Sequence, residues 1–270
     1  MEVVMIKFDS NNTGSLLQQV QQKQSSLMEK LASGKQVNSA ADGPAAQLII
    51  DRLTSQAEGS RQAISNAYDG ISLTQVAESG LANITDDANR IRELTVQAGN
   101  GGLNDADRKA LQSEISALQE NISLTVEQTN FAGKPLLSGG QDISFLVGSS
   151  SGNNIDVETN KVTDSISDLL SIDVTNAESR QQALDIADAS LETIGGFRGD
   201  LGATQNQFAS AAGVLTESSV NAQSARSRIQ NLDYAQATSD MAAAQVQGQA
   251  SLSVQAQANQ QQGQVLALLG

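Results

Sequence analysis

The chain contains no cysteine, no histidine and no tryptophan. Without histidine it lacks the commonest general base and the commonest metal ligand. Without cysteine it has no thiol nucleophile, no zinc–thiolate site and no disulfide. Aromatic residues make up 3% of the 270 residues, and proline occurs only at Pro44 and Pro135. So little aromatic bulk argues against one large globular core, and so little proline leaves long stretches free to be helical. No run approaches the ~20 apolar residues that cross a bilayer, so no membrane insertion is expected. The opening Met1 to Asp9 lacks the extended apolar region and small-residue cleavage site of a secretory leader. An extracellular location would therefore imply export without a cleaved signal peptide.

The net charge of −14 speaks against nucleic acid as a partner, because displacing its counterions needs a basic face. Acidic charge of this size is better read as keeping a self-adhering chain soluble. Asp86, Asp87, Asp105 and Asp107 have no partner base, no catalytic spacing and no Gly-rich phosphate loop near them. They read as helix caps and solvated faces. The expectations are no enzyme activity, no cofactor and no metal.

What is abundant is Ala, Ser, Gln, Asn and Leu in steps of three and four. Leu17, Val20, Gln24, Leu27 and Leu31 form a heptad stripe with one amide, predicting a helix from about Asn12 to Ala32 with Asn11, Asn12 or Thr13 as cap. Ser33-Gly34 reads as its stop, and residues 34–44 as a linker. A longer helix is predicted from Pro44, which suits a first turn, to the breaker Gly99-Asn100-Gly101-Gly102. A third is predicted from Asn104 or Asp105, with Leu111, Ile115, Leu118, Ile122 and Val126 on one face.

Beyond Asn130 the period changes. Ile143, Phe145 and Val147 alternate, Gly148 to Gly152 supplies a turn, and Ile155 and Val157 alternate again, which predicts a β-hairpin. Residues 157–175 show no clear period. Helical spacing returns at Ala177 and continues in one stripe to Leu232. Gly195-Gly196 reads there as a close helix approach or a flexible joint.

The last helix is predicted from Tyr234 to Leu269. Its stripe holds Met241, Gly248, Leu252, Gln255, Asn259, Gln262, Leu266 and Leu269. Both terminal stripes are thin, and isolated helices with so narrow an apolar face are marginal in water. Each end is expected to need a partner, first the other end and then neighbouring copies. Pairing is expected through Leu17, Val20, Leu27 and Leu31 against Met241, Leu252, Leu266 and Leu269. The fold class expected is mainly α: long antiparallel helices forming a coiled-coil rod, with one small β-hairpin near the middle. Expected segments are 1–43, 44–175, 176–233 and 234–270, the first and last pairing with each other.

Eight blocks carry a resemblance to a known family. They are LASGKQVNSAAD (31–42), NAYDGIS (66–72), RIRELTVQA (90–98), QTNF (128–131), LGATQNQF (201–208), SARSRI (224–229), AQANQ (256–260) and VLALL (265–269). In these residues and their order the chain resembles bacterial flagellin over nearly its full length. Met1 to Asn11 departs from the usual flagellin start, and Pro44 stands where flagellins more often have Ala. Both departures lean toward the related hook–filament junction protein, which is the alternative reading. A binding module or adhesin on the same helical scaffold is a further alternative, disfavoured by the small variable middle.

The resemblance implies a subunit that self-assembles into the bacterial flagellar filament for motility. Its partners would be copies of itself, the flagellar export apparatus and an export chaperone, and the filament cap and hook-associated proteins. It also implies that Arg90, Arg92, Glu93, Leu94 and Glu114 match a helix surface that packs subunits and is recognised in many flagellins by the animal Toll-like receptor. By the same analogy, Ser149, Ser150 and Ser151 are candidates for O-glycosylation.

Overall fold

The computed structural model describes residues 2–139, 141–148, 152–159 and 161–269. The helices are α1 Glu2–Ser33, α2 Pro44–Ala98, α3 Asp105–Gln128, the short α4 Val162–Ser165, α5 Ala177–Gln230 and α6 Tyr234–Leu269. Between α3 and α4 lie two antiparallel strand pairs, β1 Asn130–Phe131 with β2 Lys134–Pro135 and β3 Ile143–Leu146 with β4 Asn154–Val157. The chain falls into two compact units, Met1–Ser55 with Asn221–Gly270, and Gln56–Val220. The mainly helical class expected from the periodicity is the class observed.

In the first unit α1 begins ten residues before the sequence signal. Asn11, Asn12 and Thr13 lie inside the helix and do not cap it. No proline or glycine interrupts residues 1–13, and Asn or Thr inside a helix costs only about 0.7 kcal/mol each relative to Ala. The other end stops where the sequence indicated. Gly34 takes φ +69°, and its N–H donates to the Lys30 carbonyl at 2.9 Å, a left-handed cap that Cβ-bearing residues adopt reluctantly. The link after α1 pairs with the link after α5. The Gln36 N–H donates to the Gln230 carbonyl at 2.7 Å and the Leu232 N–H to the Gly34 carbonyl at 3.0 Å.

In the second unit α2 lies antiparallel to both α3 and α5, since Arg90 meets Glu114 while Arg92 meets Asp188 and Glu78 meets Arg198. Ile84, Ala88, Ile91 and Leu94 of α2, Ile115, Ile122 and Val126 of α3, and Ala187, Ile194 and Phe208 of α5 are all buried in one core. The start of α3 is fixed by a capping box: the Asp107 N–H donates to the Asn104 side chain at 2.9 Å, and the Asn104 N–H to the Asp107 carboxylate at 3.1 Å. Each satisfies a donor that the first turn leaves open.

The hairpin β3–β4 docks on α2 and α5 through two aromatic rings. Phe145 meets Phe208 edge-on, centroids 5.5 Å apart and planes at 89°. The Asn66 side-chain amide donates to the Leu146 carbonyl at 2.9 Å. Phe208 reaches this depth because Gly70 carries no side chain; a Cβ there would stand 2.4 Å from the ring.

The pair β1–β2 has no counterpart in the sequence reading. Its two-residue turn places Ala132 at φ +50° and Gly133 at φ +79°, the geometry of a hairpin turn with both central residues left-handed.

Of residues 157–175, without period in sequence, the described ones, 157–159 and 161–175, form a strap. Val157, Val162, Ile166, Leu169, Ile172 and Val174 are buried, and two α3 glutamines hold the strap's backbone. Gln112 donates to the Ile172 carbonyl at 3.0 Å and accepts from the Val174 N–H at 2.8 Å. Gln119 donates to the Leu169 carbonyl at 3.0 Å.

The close-approach reading of Gly195-Gly196 is corrected. Both lie within α5, exposed, and a Cβ at either would meet nothing within 4 Å. No helix approaches closely there.

Candidate functional site

The candidate residues on α2 do not form one surface. Arg90 sits on the flank facing α3, where its guanidinium binds Glu114 at 2.7 Å and Glu93 at 3.0 Å. Arg92 sits on the opposite flank and pairs with Asp188 of α5. The two arginines are two residues apart, about 200° around the helix, so they close separate seams. Hydrogen bonds donated to Glu114 and then Glu93 hold Arg90 more firmly protonated than a free guanidinium, and the one donated to Asp188 does the same for Arg92. All these groups are substantially exposed, so solvent screens each pair and its contribution to stability is small.

Leu94 requires a correction. It is 1% exposed and belongs to the core. Arg90 and Leu94 differ by only roughly 40° around the helix, but the edge of the buried arc falls between them. What α2 and α3 present jointly to solvent is therefore Arg90, Glu93 and Glu114.

The terminal seam, within the first unit, is built from smaller residues than the sequence stripe suggested. Helices α1 and α6 run antiparallel: Gly248 lies against Val20 and Gln24, the Gln24 amide donates to the Ala244 carbonyl at 2.8 Å, and the Tyr234 hydroxyl donates to the Leu31 carbonyl at 3.3 Å. On α1, Val20 is buried and Leu17, Leu27 and Leu31 are half-buried. On α6, Ala237, Ala244, Gly248 and Ser251 are buried and Met241 is half-buried. Leu252 does not belong to this face. It is 54% exposed, because the heptad through Ala244 and Gly248 continues to Ser251 and Leu252 lies a further roughly 100° round. The side chains of Leu266 and Leu269, and Ser149, Ser150 and Ser151, lie outside the described residues.

Little in the molecule resembles a reaction centre. Among the described residues no group of three or more Asp or Glu is placed to hold a metal ion. The inner crevice between Leu73, Leu81, Leu136 and Leu201 has about 10 Å³ of free volume, at the lower limit for a single water. Asp86 and Asp87 line an open groove with Asn83, Asn121 and Gln128. Burial, and then its neighbour Asp86, raises the Asp87 carboxyl above its ordinary value, yet no base faces it. Asp105 and Asp107 occupy the first turn of α3, where anions suit the helix dipole. Among the described residues no helix is long and apolar enough to cross a membrane.

Two long terminal helices joined antiparallel, with a helical unit and a docked hairpin between them in sequence, match a known family. The bacterial flagellin N-terminal helical region matches residues 6–142, and the flagellin C-terminal helical region matches residues 184–269. The chain belongs to the bacterial flagellin family. It is similar to a flagellin of Halalkalibacterium halodurans, 36% identical over 245 residues that cover 90% of each chain. It is also similar to the flagellar filament 30.7 kDa core protein of Treponema maltophilum, 32% identical over 258 residues and again 90% of each. Among solved structures, a candidate flagellar hook-associated protein of Vibrio parahaemolyticus matches with a TM-score of 0.60 at 15% identity, over 70% of this chain and all of that one. At that identity the likeness shows a shared fold alone.

Proposed function

We infer that this chain is a structural subunit that polymerises, through copies of itself, into the flagellar filament. Family membership supports this reading, and one structural observation carries it further. Large apolar side chains that a soluble monomer would bury point outward: Met28 on α1, Leu48 and Ile49 on α2, Val246, Leu252 and Val254 on α6. In a polymer, neighbouring copies would cover these side chains. The hook–filament junction alternative has only the shared fold in its favour, whereas one sequence relative cited is named a flagellin and the other a flagellar filament core protein.

The subunit works by packing and catalyses no reaction. Segments 1–43 and 234–270 pair with each other as a coiled coil, and 44–175 with 176–233 supply the rest of the subunit. Extracellular placement follows from export through the flagellar apparatus, with a chaperone before export and the cap and hook-associated proteins at the growing end. Seeding purified monomer with filament fragments tests the core of this reading by electron microscopy. Tubes elongating from the seeds are expected; monomer that never adds to seeds refutes it.

A finer reading concerns recognition of free monomer by the animal Toll-like flagellin receptor. The exposed cluster Arg90, Glu93 and Glu114 favours it, while the burial of Leu94 removes one expected contact. Receptor reporter cells treated with monomer and with Arg90→Ala should respond to the first and much less to the second. Equal activity or equal silence refutes this recognition.

A further inference from the structure

We propose that Asn100 is a site of self-modification, where the backbone nitrogen of Gly101 displaces the side-chain amide and converts the asparagine to a mixture of aspartate and isoaspartate. Asn100-Gly101 is the one Asn-Gly step in the sequence. It lies in the exposed turn between α2 and α3. Glycine suits the reaction because no Cβ obstructs the approach of its nitrogen.

Three features of the turn favour attack. Among the described residues the Gly101 N–H donates no hydrogen bond, so the nucleophile is not held by a partner. The surroundings of Gly101 are open: a Cβ there would meet nothing within 4 Å. The Gly102 N–H donates to the Asn100 side-chain oxygen at 3.0 Å, which draws electrons from the amide carbon and stabilises the oxyanion that forms on it.

The chemistry balances with water alone. A solvent base takes the Gly101 amide proton, the bond from its nitrogen to the Asn100 Cγ forms, the Cγ–Nδ2 bond breaks and ammonia leaves. Water then opens either carbonyl of the cyclic imide. One water is taken up and one ammonia is lost, without oxidation or reduction. The product carboxylate stands just beyond the C-terminal end of α2, where an anion opposes the helix dipole, and beside Arg108, which donates to the Asn100 carbonyl at 3.3 Å. In a filament, which rests on the function proposed above, the product would accumulate with subunit age; the reaction itself needs only this chain.

Asn38-Ser39, also in an exposed turn, is an internal comparison. Its nucleophile is occupied, because the Ser39 N–H donates to the Asp42 carboxylate at 2.9 Å and the Asn38 N–H to the same oxygen at 3.0 Å. The full-length protein should be aged at physiological temperature and mildly alkaline pH. Conversion is then located by fragment mass spectrometry, and isoaspartate is read by enzymatic methyl transfer. Asn100 is expected to convert first, to both products, with Asn38 lagging about tenfold. Gly101→Ala, with helix content checked by circular dichroism, should slow Asn100 about tenfold, and Asp42→Ala should speed Asn38. The proposal is overturned if Asn38 or a helical asparagine keeps pace with Asn100, if Gly101→Ala converts as fast as the parent, or if no isoaspartate forms.

Discussion

Phe208→Ala offers the sharpest test of how the second unit is held together. The ring is fully buried, packed against the bare backbone at Gly70 and edge-on to Phe145 of the hairpin. Truncating such a side chain costs about 3–5 kcal/mol in transfer and cavity terms. Of that, about 0.5–1.5 kcal/mol belongs to the aromatic pair. The opposite perturbation, Gly70→Ala, pushes a methyl into the ring. Overpacking costs about 1–3 kcal/mol and outweighs the up to about 1 kcal/mol that Ala gains over Gly in a helix. The two sites touch, so a smaller residue at 208 should accept the methyl. The double variant Gly70→Ala with Phe208→Leu is expected to be more stable than the sum of the single effects by at least about 0.5 kcal/mol. Urea unfolding of monomer followed by circular dichroism measures the parent, Phe208→Ala, Gly70→Ala, Phe208→Leu and the double variant, provided the denaturant slope stays constant. A Phe208→Ala loss below about 1 kcal/mol, or a Gly70→Ala variant stabilised like an ordinary exposed helix position, would refute the seating of this ring.

Gln112→Ala removes both of its contacts to the strap. The Ile172 carbonyl keeps the Gln119 amide at 3.3 Å, but the Val174 N–H loses its partner, so about 1–3 kcal/mol should be lost. Hydrogen exchange at Val174 should accelerate; unchanged protection there would show that Gln112 does not hold the strap. Gly195→Ala and Gly196→Ala, each with open space at Cβ, should raise monomer stability by about 0.5–1 kcal/mol apiece in thermal unfolding, and a loss at either would mean that a neighbour does approach. The Asp42 carboxyl is held below its ordinary value of 3.8 by the N–H groups of Ser39 and then Asn38. A depressed folded value means the clamp is in place above the ordinary value and released as pH falls through the depressed one. The amide resonances of Asn38 and Ser39 should move together in that acid window, and movement only near neutrality would contradict the assignment.

How legible the fold was depended on which force set each element. Helix limits marked by a conformational requirement were readable: Gly34 at its left-handed cap, Pro44 in a first turn, and Asn104 in a capping box all stand where the residue type has a physical reason to be. The start of α1 was not, because Asn11, Asn12 and Thr13 favour caps without compelling them. The strap was hard to read: Val162, Ile166, Leu169 and Ile172 do step by four and three, but the Ser, Thr and Asp between them favour turns, and only the short helical pieces Val162–Ser165 and Leu169–Ser171 form. What orders it is a pair of amides, Gln112 and Gln119, seven residues apart on another helix. That spacing is a sequence signal only once the partner is known. The same holds for Arg92, whose contact with Asp188 spans 96 positions. Leu94 was placed on the surface by the resemblance; four residues from Arg90 makes it a neighbour on the helix, but spacing alone does not say on which side of the buried arc each falls.

The seam between α1 and α6 shows why amide-rich, small-residue stripes suit a subunit of this kind. A heptad reading places the largest apolar residues inside, and α6 instead buries Ala237, Ala244, Gly248 and Ser251. Small residues let the helices approach closely enough for Gln24 to reach a backbone carbonyl of α6. That contact favours one register, because a one-residue slip would take the Gln24 amide away from its acceptor, while the Ala244 carbonyl keeps its partner within the helix. Little apolar area is buried in return, so the pair is expected to be weak alone, since helical stability in proteins comes chiefly from packing an apolar face. The bulk that could have strengthened it points the other way, with Val246 68% and Leu252 54% exposed. Exchanging the two faces would give a tighter monomer with nothing left to offer a neighbour. The observed arrangement keeps register inside the subunit and directs adhesion outward. Removing Gln255 to Gly270 should therefore leave the second unit folded, as judged by hydrogen exchange in α2 and α3, while stopping growth from seeds. Stable filaments from the truncated chain would show that adhesion resides elsewhere.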